Sequence, residues 1–380
     1  PLGRAGVRGG GGGPPPIGLA ARLDHRQASE VCGLCHSAAI FADEARWRRE
    51  GVRFRPGEAL EPEHTLVRHP LKAAVPELDA ILAEDPGFIE GRLWPDGSVK
   101  VAGRELSGLV ESGCYQRGEL SCLSCHQLHG ADPNDQLAAA ATGDAACTGC
   151  HPAIGAAIAA HTRHPAESAG SRCYGCHMPR TTYGLLGAIR SHTIDSPEVG
   201  SGSLGRPNAC NLCHLDQTLA WTAEHLERWF GAPAAALDAE ESEVAAGALW
   251  ALRGDASQRA LVAWHMGAAE VHAAAGREWL TPFLAALLED PYDAVRAIAG
   301  RSLARLPEGS GLAYDYVGPA AARSEVAAAA MAVWAARGGG ARGDAWRRRR
   351  LLFAASGALD LERVAAIRAR RDDRPIDLRE

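Results

Sequence analysis

The sequence predicts a mainly α chain in two dissimilar parts, a loop-rich region over residues 23–215 and an α-helical repeat region over residues 216–380. Aromatic residues are the first sign: before residue 217 there are only Trp47, Trp94 and three each of Tyr and Phe, whereas seven of the nine Trp lie beyond it. The second is the texture of the early part, whose long non-periodic Gly- and Pro-rich connections would not hold a compact domain unless a non-protein body filled its middle. The third is the change after Asp216, where alanine-rich segments carry apolar residues at helical spacing.

Residues 1–22 open at Pro1 without an initiator Met and run through glycines 9–13 and prolines 14–16, the composition of a flexible linker at a processing or expression boundary. Five short motifs then recur: CGLCH at Cys32, CLSCH at Cys122, CTGCH at Cys147, CYGCH at Cys173 and CNLCH at Cys210. With 15 His in 380 positions, His follows a given pair by chance about 1 time in 25, and all five pairs about once in ten million. A disulfide framework has no use for that histidine. Zinc ribbons take two Cys-x-x-Cys pairs for one ion and do not need it either, and four-cysteine iron–sulfur sites would leave five histidines unexplained.

Cys-x-x-Cys-His instead matches covalent haem: two thiols add to the two vinyl groups while the next imidazole binds the iron. The expected attachment pairs are Cys32/Cys35, Cys122/Cys125, Cys147/Cys150, Cys173/Cys176 and Cys210/Cys213, with His36, His126, His151, His177 and His214 as proximal ligands of five haems c. Five haems are then the missing core of residues 23–215. Cys114 is left over and reads as a small buried residue near the second haem.

A second histidine on an iron confines it to electron exchange, whereas an open face admits small molecules. Ten histidines lie outside the motifs. His129, three residues after His126, cannot easily cap its own iron but can reach a neighbouring one. His161 and His164 in HTRHP and His192 in RSHTID sit in loop-like sequence between motifs, so these four are the candidate distal ligands. His25, His64 and His69 have weaker claims. His225 falls off the apolar stripe of its helix, beside Trp221, and His265 and His272 lie in helical sequence far from any motif. Met178 adjoins His177 and cannot cap the same iron.

In the helical part, Phe283, Leu284, Leu287 and Leu288 form one stripe after a Thr281–Pro282 start, and Val295, Ile298, Leu303 and Leu306 form the next. GALWALRGD with QRALVAWHMG makes an earlier pair, and SEVAAAAMAVWAARGG a later helix. Stacked pairs predict a solenoid, either a partner-binding surface or a buttress for the last haems. A formal charge of −6 argues against nucleic-acid binding, and no apolar run is long enough to span a membrane. Arg347 to Arg350 point all round a helix axis and read as a solvated face.

The stretches LWPDGSVKV, LSCLSCHQLHG, HPAESAGSRCYGCHMPRTTYG, IRSHTIDSP and GRPNACNLCHLDQTLAWTAEHLERW, followed by the HEAT-like LEDPYDAVRAIAGRSLARL, resemble the bacterial multihaem c-type cytochromes of the doubled Cys-x-x-Cys-His kind, some of which carry helical-repeat tails. The resemblance implies His129 and His192 as distal ligands, further haem motifs upstream, a periplasmic or extracellular location after export, and redox proteins as partners. It implies electron transfer first. An oxidoreductase with one open haem, acting on a nitrogen or sulfur compound with Arg163, Arg172, Arg180 or Arg190 above the iron, is the alternative. Related nitrite reductases replace one motif His by Lys, and all five motifs here keep His. A third reading makes the helical part a docking module.

Overall fold

The computed structural model describes residues 22–75, 77–200, 205–374 and 376, so the linker lies outside the described residues except for Arg22. Among the described residues the chain is mainly helical, with two short antiparallel strand pairs. No helix is long and apolar enough to cross a membrane.

The first helix, His25–Gly33, starts where the Asp24 carboxylate accepts hydrogen bonds from the backbone N–H groups of Arg26 and Gln27, both at 2.9 Å. It ends at Gly33, where a Cβ would collide with Leu106. Ala39–Phe41 pairs with His64–Leu66 across a connection that holds the helix Glu44–Glu50, and Thr182–Gly184 pairs with Gly187–Ile189 in a tight hairpin. The second turns through Leu185 and Leu186 at φ 50° and 51°, a left-handed pair that usually calls for Asn or Gly. No turn signal in the sequence announces it.

The remaining early elements are mostly single helical turns joined by loops. Their buried apolar residues form small clusters: Val67, Ile81 and Phe88; Trp94 with Ala188 and Leu261; Leu106, Leu109 and Tyr115.

From Thr218 onward the helices lengthen. Leu219–Phe230 is capped by the Thr218 hydroxyl, which accepts from Trp221 N–H at 3.1 Å, and Ala256–Met266 by a reciprocal Asp255/Gln258 box. Ala256–Met266 packs on Ala246–Arg253 and Asp293–Leu303, and Thr281–Leu287 packs on Asp293–Leu303 and Ala320–Ala336. The apolar stripes read from sequence are the faces that meet: Phe283, Leu284, Leu287, Val295, Ile298 and Leu303 are all buried in one cluster. That cluster continues past the helices to Val101, Tyr183, Leu212 and Leu215.

Polar contacts close the same seam. Lys100 Nζ pairs with Asp255 Oδ2 at 2.7 Å, and His265 Nε2 donates to Arg180 O at 3.2 Å. The early region is thus bonded along one side to a packed helical body.

Candidate functional site

Each motif sits on about one helical turn, because cysteines three apart project from the same face of a turn. The turns are the end of His25–Gly33, Cys122–Cys125, Ala145–Thr148, Cys173–His177 and Ala209–Cys213. In four of them the histidine N–H donates to the carbonyl of the first cysteine at 2.9 Å: His36 to Cys32, His126 to Cys122, His151 to Cys147 and His214 to Cys210. One backbone bond therefore fixes imidazole against thiol in the same way four times. All eleven cysteines are free.

The motifs follow one another in space as in sequence. The Cys32 and Cys122 thiols are in contact, and their shared hydrogen bond lowers Cys32 to about 6 while raising Cys122. Cys147 and Cys173 also share a thiol hydrogen bond; burial pushes Cys173 up to about 12, helped by the Asp144 carboxylate. Cys125 lies within electrostatic reach of Cys147, and Cys176 of Cys210. Asp144 ties the third motif to the fourth, accepting from Cys173 N–H at 2.8 Å and pairing with Arg172 at 3.3 Å.

The third motif divides its two thiols between cover and surface. Cys147 is half-buried beside Cys173, but Cys150 is exposed. The reason is local. The helix Ala145–Thr148 closes at Gly149, Cys150 N–H bonds back to Cys147 O at 3.1 Å, and Pro152 starts a new helix at once. Cys122 and Cys210 pack against buried apolar clusters, whereas no such cluster among the described residues takes in Cys150. Cys35 in the first motif is exposed in the same way, so in these two motifs the second thiol stands at the surface.

Three motif histidines each face another imidazole. His126 faces His192 with ring centroids 6.2 Å apart and planes 24° from parallel. His177 faces His161 at 6.0 Å and 15°, and His214 faces His164 at 6.1 Å and 26°. An iron bonded to two imidazoles at about 2 Å each places the ring centres about 6 Å apart, since each centroid lies about 1 Å behind its nitrogen. The three pairs fit that requirement. Among the described residues no three His, Cys, Asp or Glu side chains converge as a cage for a bare metal ion.

Neighbouring carbonyls orient the rings. His126 Nδ1 meets Asp135 O at 3.0 Å, His177 Nδ1 meets Asp195 O at 2.8 Å, His164 Nδ1 meets Thr162 O at 2.6 Å and His192 Nδ1 meets Arg190 O at 3.1 Å. A carbonyl can only accept, so each Nδ1 carries the proton and each Nε2 keeps a free lone pair. Burial pushes His161, His192 and His214 below the ordinary histidine value, which favours the neutral, metal-ready form.

HTRHP serves two motifs because Arg163 is left-handed at φ 61°. It ends the helix Ile158–Thr162 and sends His161 and His164 to different partners. The Asp195 loop beneath His177 is itself held: Arg206, largely buried, pairs with Asp195 at 2.5 Å and with Asp96 at 2.8 Å. These three line a cavity with Cys176, Pro179 and Asn208.

The other candidates are placed differently. His129 is exposed, and among the described residues no imidazole faces it, His36 or His151. His25 lies edge-on to Tyr115 at 5.4 Å with its Nε2 buried and unpartnered, and His64 packs on Phe41 with Nδ1 buried and unpartnered. His225 lies between Trp221, tilted at 4.3 Å, and Trp229, edge-on at 4.6 Å, and Trp221 in turn lies 5.2 Å from His214. Three of the four arginines considered for an anion pocket are engaged: Arg172 with Asp144, Arg180 with Ala188 O, and Arg190 with Tyr174 O and Met178 O.

Sequence reasoning did not reach Glu105. Its Oε2 accepts from His36 Nδ1 at 2.7 Å and its Oε1 from Gly103 N–H at 3.0 Å. Burial raises its carboxyl, but the His36 bond and the backbone N–H groups outweigh this and hold it below the ordinary carboxylate value. It is 69 residues from His36, and nothing around it marks a ligand partner.

Thiol pairs on a turn with an imidazole beside them define a c-type haem-attachment centre. The family model described as "Doubled CXXCH motif" matches residues 115–156, the segment holding the second and third motifs. That match identifies a cytochrome c-like motif and points to covalently bound haem. No curated protein and no solved structure matches the chain.

Proposed function

We propose that this chain is a multihaem c-type cytochrome that carries electrons through five covalently bound haems. The observation that supports the reading is the set of facing pairs His126/His192, His177/His161 and His214/His164, whose ring centroids lie 6.2, 6.0 and 6.1 Å apart, close to the spacing of two imidazoles on one iron. The haem group, when bound, supplies a one-electron couple. The protein supplies thiol pairs that fix each group, carbonyls that set the imidazole tautomers, and contacts that place successive motifs side by side. Electrons then pass in motif order, from the Cys32 site to the Cys210 site. Haem is attached outside the bacterial cytoplasm, so the protein works in the periplasm or beyond the cell, with redox proteins as donor and acceptor. The helix pairs after Thr218 form a HEAT-like buttress that also offers a docking surface.

A second reading is favoured by His36 and His151, which no described imidazole faces: one of their haems is open, and the protein is an oxidoreductase for a nitrogen or sulfur compound. One experiment tests both. The exported holoprotein is weighed intact and its reduced spectrum recorded before and after carbon monoxide. Five haem masses with at least three haems blind to CO are expected. Fewer attached haems, or CO binding at more than two, would overturn the paired-ligand reading, and binding at one or two moves the oxidoreductase reading to first place.

A further inference from the structure

The five motif histidines do not receive the same support from behind. His126 and His177 rest on the neutral carbonyls of Asp135 and Asp195. His36 rests on a carboxylate, Glu105 Oε2, at 2.7 Å. A negative acceptor on Nδ1 draws the proton away from the ring, makes Nε2 a more basic donor and stabilises the more positively charged state of a bound metal.

This contact is built into the fold. Glu105 is the first residue of the helix Glu105–Leu109, and that turn is fastened to the first motif at three successive points. Glu105 takes the His36 ring, Leu106 N–H donates to the His36 carbonyl at 2.8 Å, and the Ser107 hydroxyl accepts from Ala38 N–H at 2.8 Å. Gly103 N–H holds the other carboxylate oxygen, so the side chain is gripped from both ends. Glu105 is also within electrostatic reach of His192, the imidazole that faces His126.

We propose that Glu105 is a positioning residue that makes the haem held by Cys32, Cys35 and His36 the lowest-potential centre of the chain, with a smaller effect on the second. The first site is therefore the end that gives electrons up most readily, and transfer runs downhill toward the Cys210 end. This rests on the multihaem reading above.

The test is a spectroelectrochemical titration of the holoprotein and of Glu105→Gln and Glu105→Asp, each first weighed to show its full set of haems. Glu105→Gln keeps an oxygen acceptor for His36 but removes the charge. It should raise the lowest of the midpoints by at least tenfold in the reduction equilibrium, about 59 mV for one electron, and leave the highest unmoved. Glu105→Asp should keep that lowest step near its original place. A lowest step unmoved in Glu105→Gln, or all steps rising together, overturns the role of Glu105 while leaving the cytochrome reading intact. Missing haem masses in the unaltered protein overturn that reading instead. Loss of the lowest step in Cys32→Ala/Cys35→Ala ties it to the first site, and loss of a different step overturns the assignment.

Discussion

Over residues 244–306 apolar side chains close directly on one another: Leu249, Trp279, Leu284 and Val295 are buried in a single cluster that runs from helix to helix. Over residues 32–214 Val101, Tyr183, Val199 and Leu212 join the edge of that cluster, while the other clustered apolar groups form small islands in a region that also carries the thiols and motif imidazoles. The two regions bury their chain by different means. In one, apolar area removed from water does the work; in the other, the proposed haems supply the large apolar bodies that Phe and Trp supply elsewhere. Stability is therefore separable from function in the helical region and inseparable from it in the early one.

The sharpest way to break this contrast is to withhold haem. Protein produced without haem attachment should lose the order of residues 22–215 and be cut there by protease at least tenfold faster than the holoprotein, while the helices from Ala246 onward stay protected. Mass mapping of limited-proteolysis fragments reads the result. Equal resistance in the two regions would show that the islands suffice.

A single ligand comes next. His161→Ala removes the imidazole facing His177, so about a fifth of the haem should gain a CO-induced shift in the reduced spectrum, with five haems still attached. His129→Ala should change nothing in the same measurement, because His129 is exposed. A shift with His129→Ala and none with His161→Ala would reverse the assignment of the two residues.

How much of this was legible follows from the range of each interaction. The attachment motifs are local: thiol, thiol and imidazole lie within one turn, so spacing alone displays the chemistry. Spacing does not display cover, and Cys150 stands exposed in a motif that reads like the other four. Helix faces are legible for the same reason as the motifs, and the stripes through Phe283 and Ile298 meet in the core. HTRHP and RSHTID stand out as His-bearing loops, but that His161 meets His177 and His164 meets His214 depends on a left-handed Arg163 that carries no Gly or Asn to announce it. Glu105 and Asp144 act across long stretches of chain, and each looks like any surface acid in sequence. The Thr182–Ile189 hairpin is hidden because Leu-Leu fills a turn where Asn-Gly is expected.

Within the helical region, charge can be compared with charge. Arg259 and Asp290 are both fully buried, paired at 2.7 Å, with a second guanidinium contact at 3.2 Å. Removing one partner strands the other without water, so Asp290→Ala should cost about 3–5 kcal/mol in chemical denaturation while the haem spectrum stays unchanged. A loss under about 1 kcal/mol would show that Asp373, 3.3 Å from Arg259, takes over.

The seam between the regions should be acid-sensitive through His265. Burial lowers it to about 4, and Arg180 O accepts from its Nε2. The unfolded chain binds this proton near the ordinary 6.5 and the folded chain only near 4, so stability falls as pH drops from about 6.5 toward 4, by about 3 kcal/mol in all. His265→Gln keeps a donor for Arg180 O but cannot ionise. It should flatten that part of the pH–stability curve; an unchanged slope would assign the acid sensitivity to other groups.

The smallest effect belongs to the early region's surface. Arg48 and Glu44 pair at 2.7 Å one helical turn apart, with side chains 71% and 52% exposed. Water already solvates both partners, and holding two flexible arms together costs side-chain entropy, so Arg48→Ala should change stability by less than about 0.5 kcal/mol. The shortest contacts at Arg48 and Arg259 have the same length, and what chiefly separates the pairs is that Arg259 and Asp290 are fully withdrawn from water. If the two substitutions in these pairs cost similar amounts, burial is not what sets the helical region apart.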